Sequence, residues 1–201
     1  MTRLVLATRN AGKIVEFRRI LEEAQVPIDL VGLEAFPEIG EVAETGLTFA
    51  ENALLKAHTV AKESGLPAIA DDSGLCVDAL NGMPGIFSAR WSGSHGDDQA
   101  NLNLLLAQLT DVPDGRRQAH FTCTAALALP SGEERTVDGI MRGTLIREPR
   151  GGNGFGYDPI FVPDGETLTT GELAAAEKDA ISHRGKSFRA MIPVIIEVLG
   201  G

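Results

Sequence analysis

Four apolar residues in a row, Leu4, Val5, Leu6 and Ala7, open the pattern of the chain and suit a short strand buried on both faces. The polar stretch TRNAGK follows. From Lys13 the apolar residues Ile14, Phe17, Leu21 and Ala24 recur at spacings of three and four, which predicts an amphipathic helix ending before Pro27. Asn10 is placed to cap it, leaving the amides of residues 11–13 unpaired at the helix start. Strand, polar turn and helix start together describe an anion site. Free N–H groups and the positive end of the helix dipole attract phosphate, and Lys13 adds a mobile full charge. An ordinary capped helix with a surface lysine has the same pattern.

Residues 28–36 read as a second strand, and residues 37–45 as an acidic loop carrying Glu38, Glu41 and Glu44. Thr48 and Glu51 form the signature of a capping box for a helix that buries Ala53, Leu54, Ala57, Val60 and Ala61. On another face of that helix Asn52 and Lys56 lie four apart, so both are able to point into one cleft. Gly65 ends the helix and Pro67 leads into the next strand. Residues 67–70 read as the end of a buried strand, after which the chain is expected to turn at Asp71, Asp72, Ser73 and Gly74. Ligands collect at the carboxyl ends of strands in open α/β sheets, so a metal-phosphate site is expected here. Alternation along a strand would send the two aspartates to different faces, one for chemistry and the other to hold the turn. The competing reading is that both merely cap a turn.

Gly82, Pro84 and Gly85 predict a tight loop that ends at Arg90 and Trp91. Asp97 or Asp98 then caps a helix with a core stripe of Leu102, Leu105, Leu106 and Leu109. Phe121, Cys123, Ala125, Leu127 and Leu129 alternate, a PSG turn follows, and residues 137–146 alternate again, which predicts an antiparallel hairpin. The fold class is therefore α/β with a mixed sheet. Absence of repeats, long linkers and low-complexity segments predicts one domain over residues 1–201. The glycine-rich stretch RGGNGFGYDPIF permits close backbone approach to a ligand, and its aromatics are suited either to stack a flat base or to pack under a mobile loop. A basic stretch, KDAISHRGKSFRAM, leads into a last helix with Phe188, Met191, Ile192, Ile195, Val198 and Leu199 on its buried side. Pro193 must kink that helix or mark a late start.

Charge and cysteine usage narrow the function. Twenty-eight acidic residues against eighteen basic ones give a formal net charge of −10, which repels a nucleic-acid backbone. Polymeric DNA or RNA is excluded as the expected partner, whereas a nucleotide bound by a few local lysines and a divalent cation is not. No apolar run approaches the ~20 residues of a membrane-spanning helix, and the apolar start is too short for a signal-peptide core. A cytoplasmic location without membrane contact is expected. Cys76 and Cys123, the two cysteines, form no CxxC pair and read as small apolar residues. His58, His95 and His120 sit in no ligand-like spacing.

Taken in order, TRNAGK, ETGLTFAENALLKA, ADDSGL, GMPGIFSARWSG, GFGYDPIF and AISHRGKSF resemble the inosine and xanthosine triphosphate pyrophosphatase family, the Ham1-like non-canonical purine NTPases. The resemblance runs from Leu4 to the last helix. It implies an elongated mixed β-sheet with flanking helices and two lobes around a central cleft, assembled as a homodimer. It further implies magnesium-dependent hydrolysis of ITP, dITP and XTP to the monophosphate and pyrophosphate. On that resemblance Thr8, Arg9, Asn10, Ala11, Gly12 and Lys13 hold the triphosphate, with Lys56 as an additional contact. Asp72 is the catalytic carboxylate and a magnesium ligand, Glu44 the second metal carboxylate, and Ser73 a substrate contact. Phe155, Gly156, Tyr157 and Asp158 flank the nucleoside, and Lys178, His183 and Arg184 complete the site. Asn153, Trp91 and Pro193 depart from the family pattern without removing a proposed catalytic group. A Maf-like nucleotide pyrophosphatase with other base specificity and a non-catalytic nucleotide sensor are the competing readings.

Overall fold

The structure is a computed structural model and describes residues 2–200 of the chain. The opening apolar run forms strand β1 (Thr2–Leu6), and the periodic segment after it forms helix α1 (Ala11–Glu23). Asn10 caps α1 as expected, but its side-chain oxygen takes up the amides of Gly12 and Lys13 at 2.9 and 3.2 Å. Those two amides are thus not left for an anion. The next segment is a strand only over β2 (Ile28–Gly32), and then tightens into a short 3₁₀ turn, Leu33–Ala35. Helix α2 (Phe49–Ser64) begins at Thr48, whose hydroxyl accepts the Glu51 amide. The Glu51 carboxylate reaches the amide of Leu47. Gly65 closes α2 at φ 69°, a left-handed conformation that favours glycine.

Strand β3 (Ala68–Val77) corrects the expectation of a turn at residues 71–74: the extended chain continues straight through Asp71, Asp72, Ser73 and Gly74. The turn-forming preference of these residues is overridden by partners that satisfy both carboxylates within the strand, described below. Helix α3 (Asp98–Gln108) is capped by Asp97, which accepts the Ala100 amide at 3.0 Å. Strands β4 (Gln118–Ala128) and β5 (Glu134–Leu145) are joined by the expected tight turn, and β6 (Phe161–Pro163) pairs antiparallel with β5. A short helix that the apolar pattern does not show, α4 (Ala175–Ile181), precedes α5 (His183–Leu199), which carries Pro193 inside it rather than starting late.

The strand order is β2-β1-β3-β4-β5-β6, with β1 parallel to β2 and β3, so the sheet is mixed as expected. The chain divides into two compact units. The first comprises Met1–Asp72, Cys123–Gly139 and Arg184–Gly201; the second comprises Ser73–Thr122 and Ile140–His183. In the first unit, Leu4, Leu6, Phe17, Ile69, Leu127, Phe188 and Met191 form one core, and Val5, Ile39, Ala53, Ala57, Val60 and Ala70 another. In the second, Leu75, Leu102, Leu105, Phe121, Tyr157 and Phe161 pack together. Each unit therefore buries its own apolar surface, the main source of stability. No described helix is long and apolar enough to cross a membrane.

Candidate active site

In the first unit the parallel pairing of β1 with β3, extended by the Ala7 amide donating to the Ile69 carbonyl at 2.7 Å, sets the carboxyl end of β1 beside the end of that β3 segment. Thr8, Asn10 and Lys13 leave from the first; Asp71 and Asp72 leave from the second. The Thr8 hydroxyl accepts the Asn10 amide at 3.1 Å, fixing the turn that launches α1. Arg9 faces elsewhere: its guanidinium donates to the carbonyls of Ile39 at 2.7 Å and Leu33 at 3.4 Å and ties down the acidic loop. Ala11 and Gly12 form the first residues of α1.

The alternation of β3 separates its two aspartates into different company. Asp71, whose side chain is 3% exposed, receives both of its oxygens' bonds from Lys13 Nζ at 2.8 Å, and Arg184 Nε donates to Oδ2 at 3.3 Å. Burial pushes this carboxyl up, but Lys13 and Arg184 more than reverse that and hold it well below the usual carboxylate range. Lys13 is therefore anchored rather than mobile. The Cys123 Sγ lies 3.9 Å from Asp71 Oδ2, with the Ser187 hydroxyl donating to the sulfur at 3.2 Å. Burial, with Asp71 adding to it, pushes the Cys123 thiol up to about 12, so it remains a protonated donor to the carboxylate. This cysteine is a polar participant rather than only an apolar filler.

Asp72 meets the helix α2 face on which Asn52 and Lys56 lie four residues apart. Asn52 Nδ2 donates to Oδ2 and Lys56 Nζ to Oδ1, each at 3.2 Å. Lys56 also donates to Glu44 Oε1 at 2.9 Å, so one ammonium joins the two carboxylates. Asn52 is fully buried and in turn accepts the Gly46 amide at 2.8 Å, which binds the loop bearing Glu44 to α2. Gly46 is needed there, because a Cβ would come within 2.6 Å of Glu51 Cβ. Burial raises the Asp72 carboxyl, Lys56 partly offsets this, and the nearby Glu44 charge raises it further. Lys56 is itself raised, its burial being outweighed by Asp72 and Glu44.

The two aspartates meet opposite partner charges, with Glu16 also acting on Arg184 in the first cluster. Around Asp71 two cations face one carboxylate; around Lys56 two carboxylates face one cation. The first composition suits an anion such as phosphate. The second suits a divalent metal: two oxygen donors, relieved of mutual repulsion by an added cation, with waters and phosphate oxygens to complete the shell in the manner of magnesium. Among the described residues no group of three or more acidic, histidine or cysteine side chains is arranged to hold a metal. Two protein carboxylates fit this pattern.

In the second unit the glycine-rich loop is organised by Asp158. This buried carboxylate accepts the Phe155 amide at 2.8 Å, the Thr170 hydroxyl at 2.9 Å and the Lys178 ammonium. Tyr157 is buried, and its hydroxyl donates to the Ser88 carbonyl at 2.8 Å. Gly156, at φ 59°, donates its amide to Asp98 at the start of α3. Phe155 alone of these turns outward, 62% exposed, with Lys178 Nζ 5.0 Å from its ring centre. Phe155 and Gly156 join Asp98 and Leu102 around a shallow pocket of about 180 Å³. His183 stacks on Phe121, ring centres 4.9 Å apart. Ser73 is half-buried on β3. Lys13 with Arg184, Lys56 with Glu44 and Asp72, and Phe155 with Asp158 and Lys178 are each brought together, whereas Ser73, on β3, and His183, on Phe121, stand outside these groups; Tyr157 packs under the loop, the alternative expected for it, while Arg9 and Asp158 have structural engagements the sequence did not suggest. The roles of Asp71 and Cys123 were missed, and Asn52 was visible only through its spacing from Lys56.

A mixed α/β sheet that sets Asp71 among cations and Asp72 beside a second carboxylate on neighbouring residues of one strand defines an α/β protein whose charged side chains cluster at the sheet. Residues 4–194 match the Ham1 family model, and the chain belongs to the Ham1 family. A Streptomyces coelicolor protein named dITP/XTP pyrophosphatase is 68% identical over 200 residues, covering 100% of both chains. The crystal structure of the Mycobacterium abscessus protein described as a nucleoside-triphosphatase and dITP/XTP pyrophosphatase matches at 53% identity and TM-score 0.82, over 96% of this chain and 100% of that one. A Coxiella burnetii HAM1 protein matches at 40% identity and TM-score 0.91, over 98% of this chain and 100% of that one. The family resemblance and the mixed α/β class expected from the sequence are both borne out.

Proposed function

We propose that this protein hydrolyses non-canonical purine nucleoside triphosphates, ITP, dITP and XTP, to the monophosphate and pyrophosphate. The observation that carries the reading is the pairing of Asp72 with Glu44 through Lys56, next along the strand from the Asp71 cluster, in a chain whose full-length relative is named for this activity.

Magnesium is the proposed metal, with Asp72 and Glu44 as its protein ligands; bound there it would neutralise charge on the phosphates. Lys13 contributes a charged donor to the phosphate chain, with Thr8 and the α1 start beside it and Lys56 as an additional contact. Asp72 accepts the proton of the attacking water, a task helped by the burial and the Glu44 charge that raise its proton affinity. Asn52 and Lys56 hold its two oxygens in a fixed orientation, so little reorganisation is needed when the water attacks. The exposed Phe155 ring offers a stacking face for the purine, supported by the loop that Asp158 and Lys178 organise. Donors from His183 and Arg184 suit the C6 oxygen of hypoxanthine or xanthine and disfavour the amino group of adenine. We further propose that residues 1–201 act as one functional domain, as a cytoplasmic homodimer; the family match across residues 4–194 supports the single domain.

Chromatography of products formed with magnesium and, in parallel, ITP, XTP, ATP, GTP and TTP tests the reading. IMP and XMP with pyrophosphate, and little turnover of the other three, is the expected result. Preferential turnover of TTP would transfer the protein to a Maf-like specificity. Stabilisation by ITP without hydrolysis would make it a sensor.

A further inference from the structure

Residues 39–46, which carry Glu44, run without regular secondary structure. Chain of this kind keeps a single geometry only where tertiary bonds impose one, because each unfixed residue retains conformational entropy. Its far end is fixed by α2: the Gly46 amide donates to Asn52 at 2.8 Å and the Leu47 amide to Glu51. Its near end is fixed by Arg9. One terminal nitrogen of that guanidinium donates to the Ile39 carbonyl at 2.7 Å and the other to the Leu33 carbonyl at 3.4 Å, while the Leu33 amide donates to the Thr8 carbonyl at 3.2 Å. Ile39 itself is fully buried in the core with Val5, Ala53, Ala57 and Val60. These bonds tie the turn at Thr8–Asn10 to the start of the loop. The bond to Ile39 governs direction as well as position, since a held carbonyl fixes the peptide plane that leads out of the core toward Glu44. Glu44 then meets the Lys56 ammonium at 2.9 Å.

We propose that Arg9 is a positioning residue for the metal: it braces the loop that carries Glu44 against the turn that receives phosphate, so that the second metal carboxylate is placed before the ion arrives. This rests on the reading of the protein as a metal-dependent triphosphate hydrolase. Both bonds of the brace end on backbone carbonyls, which every residue type supplies, so the chemical demand falls on the side chain at position 9. A guanidinium meets it, because its planar fork aims two donors in fixed relation, whereas a lysine ammonium is a single charge on a flexible stem. Directing both terminal nitrogens at the loop separates Arg9 from Lys13 in role. The lysine offers charge to phosphate, and the arginine acts on the metal through Glu44. A carboxylate already in place binds a cation more tightly than one that must first be ordered. Loss of the brace therefore weakens metal binding and leaves phosphate binding intact.

The test is Arg9→Met, which keeps an aliphatic stem and removes the fork. Two titrations without turnover read it: Mn²⁺ uptake followed by electron paramagnetic resonance, and calorimetric binding of inorganic pyrophosphate in metal-free buffer. Glu44→Gln identifies the part of the Mn²⁺ uptake that belongs to the site. That part should weaken roughly 10-fold in Arg9→Met, the low end for loss of outer contacts to a metal ligand, with pyrophosphate affinity at its wild-type value. The magnesium requirement of ITP hydrolysis should rise by the same factor, with kcat restored at saturating magnesium. Wild-type Mn²⁺ affinity in Arg9→Met would overturn the proposal. Weakened pyrophosphate binding would do the same, since it makes Arg9 a phosphate ligand or a prop of the whole turn. If Arg9→Met does not fold, Arg9→Lys decides. It keeps the charge without the fork, and should weaken Mn²⁺ uptake to a smaller extent with pyrophosphate binding intact; wild-type uptake there contradicts the proposal. Should the wild-type protein take up Mn²⁺ at Glu44 yet fail to hydrolyse ITP, the functional reading falls and the two titrations judge the brace alone. A wild-type protein with no Glu44-dependent uptake has no metal site for Arg9 to serve, and that result overturns the proposal.

Discussion

Asp71 and Asp72 are adjacent on one strand, are both buried, and differ in almost everything that decides their chemistry. Asp71 is surrounded by Lys13 and Arg184 and is held strongly acidic despite its burial. Asp72 has one ammonium, shared with Glu44, and an uncharged amide from Asn52; burial prevails and its proton affinity rises. The pleat that sends successive side chains to opposite faces delivers one residue to α1 and α5 and the other to α2. Identity of residue type therefore says little about role here. What matters is the charge each face supplies: cations hold Asp71 ionised, and a neighbouring carboxylate raises the proton affinity of Asp72, which fits it to the proposed work of proton acceptor and metal ligand.

The largest effect that would sharpen this contrast is Asp72→Asn. Loss of a proton acceptor lowers rate by on the order of 10²- to 10⁴-fold, and the kcat of ITP hydrolysis should fall by that amount while pyrophosphate binding, which depends on the Asp71 side, persists. Asn52→Leu comes next. It removes the donor that orients Asp72 and the acceptor of the Gly46 amide, so the magnesium concentration for half-maximal activity should rise about 10- to 100-fold, as for other loss of outer contacts to a metal ligand. Equal losses of metal and pyrophosphate affinity in either variant would dissolve the distinction between the two faces.

Acid and neutral stability provide a third contrast. The folded Asp71 binds its proton less readily than an unfolded aspartate, near pH ~3.9, so its stabilisation is present above that range and is lost as pH falls through its depressed value. The raised Asp72 has the opposite sign: its favourable contribution is present below the unfolded value and lost as pH rises through its folded one. In denaturation across acid and neutral pH, Asp71→Asn should flatten the acid limb and lose more stability at neutral pH than Asp72→Asn. The smallest effect is expected from Thr48→Ala. Removing the cap of α2 should cost about 1 kcal/mol in denaturant unfolding and modestly raise the magnesium requirement, with pyrophosphate affinity unaltered.

Much of the scaffold was legible in the pattern of residues because local rules and tertiary packing agree there. The spacing of Ile14, Phe17 and Leu21 marks α1, and all three are buried. Gly65 stops α2 where expected, and the spacing of Asn52 and Lys56 put them on one face, which in the structure meets Asp72. Helix α4 was not legible, since its sequence AAEKDAI has no apolar stripe and none of its residues is fully buried. The continuation of β3 through Asp71–Gly74 was hidden for a different reason. Local propensity favours a turn, but Lys13, 58 residues away, and Arg184, 113 away, satisfy the acid within the strand. The same distance in sequence concealed the capture of Lys13, which local reasoning leaves as a mobile charge, and the use of Arg9 to hold the loop at Ile39. Tyr157 and Asp158 carry family motifs, yet their packing and hydrogen bonds serve the loop itself, a role no spacing rule separates from ligand contact.

The most direct test of the division between the two aspartates is an NMR titration of their side-chain carboxyl carbons in the ligand-free protein, assigned through the single Asn variants. The account predicts that Asp71 remains ionised well below the ordinary carboxylate range while Asp72 takes up its proton above it. Titration of both together in the ordinary range, or in the reverse order, would contradict it.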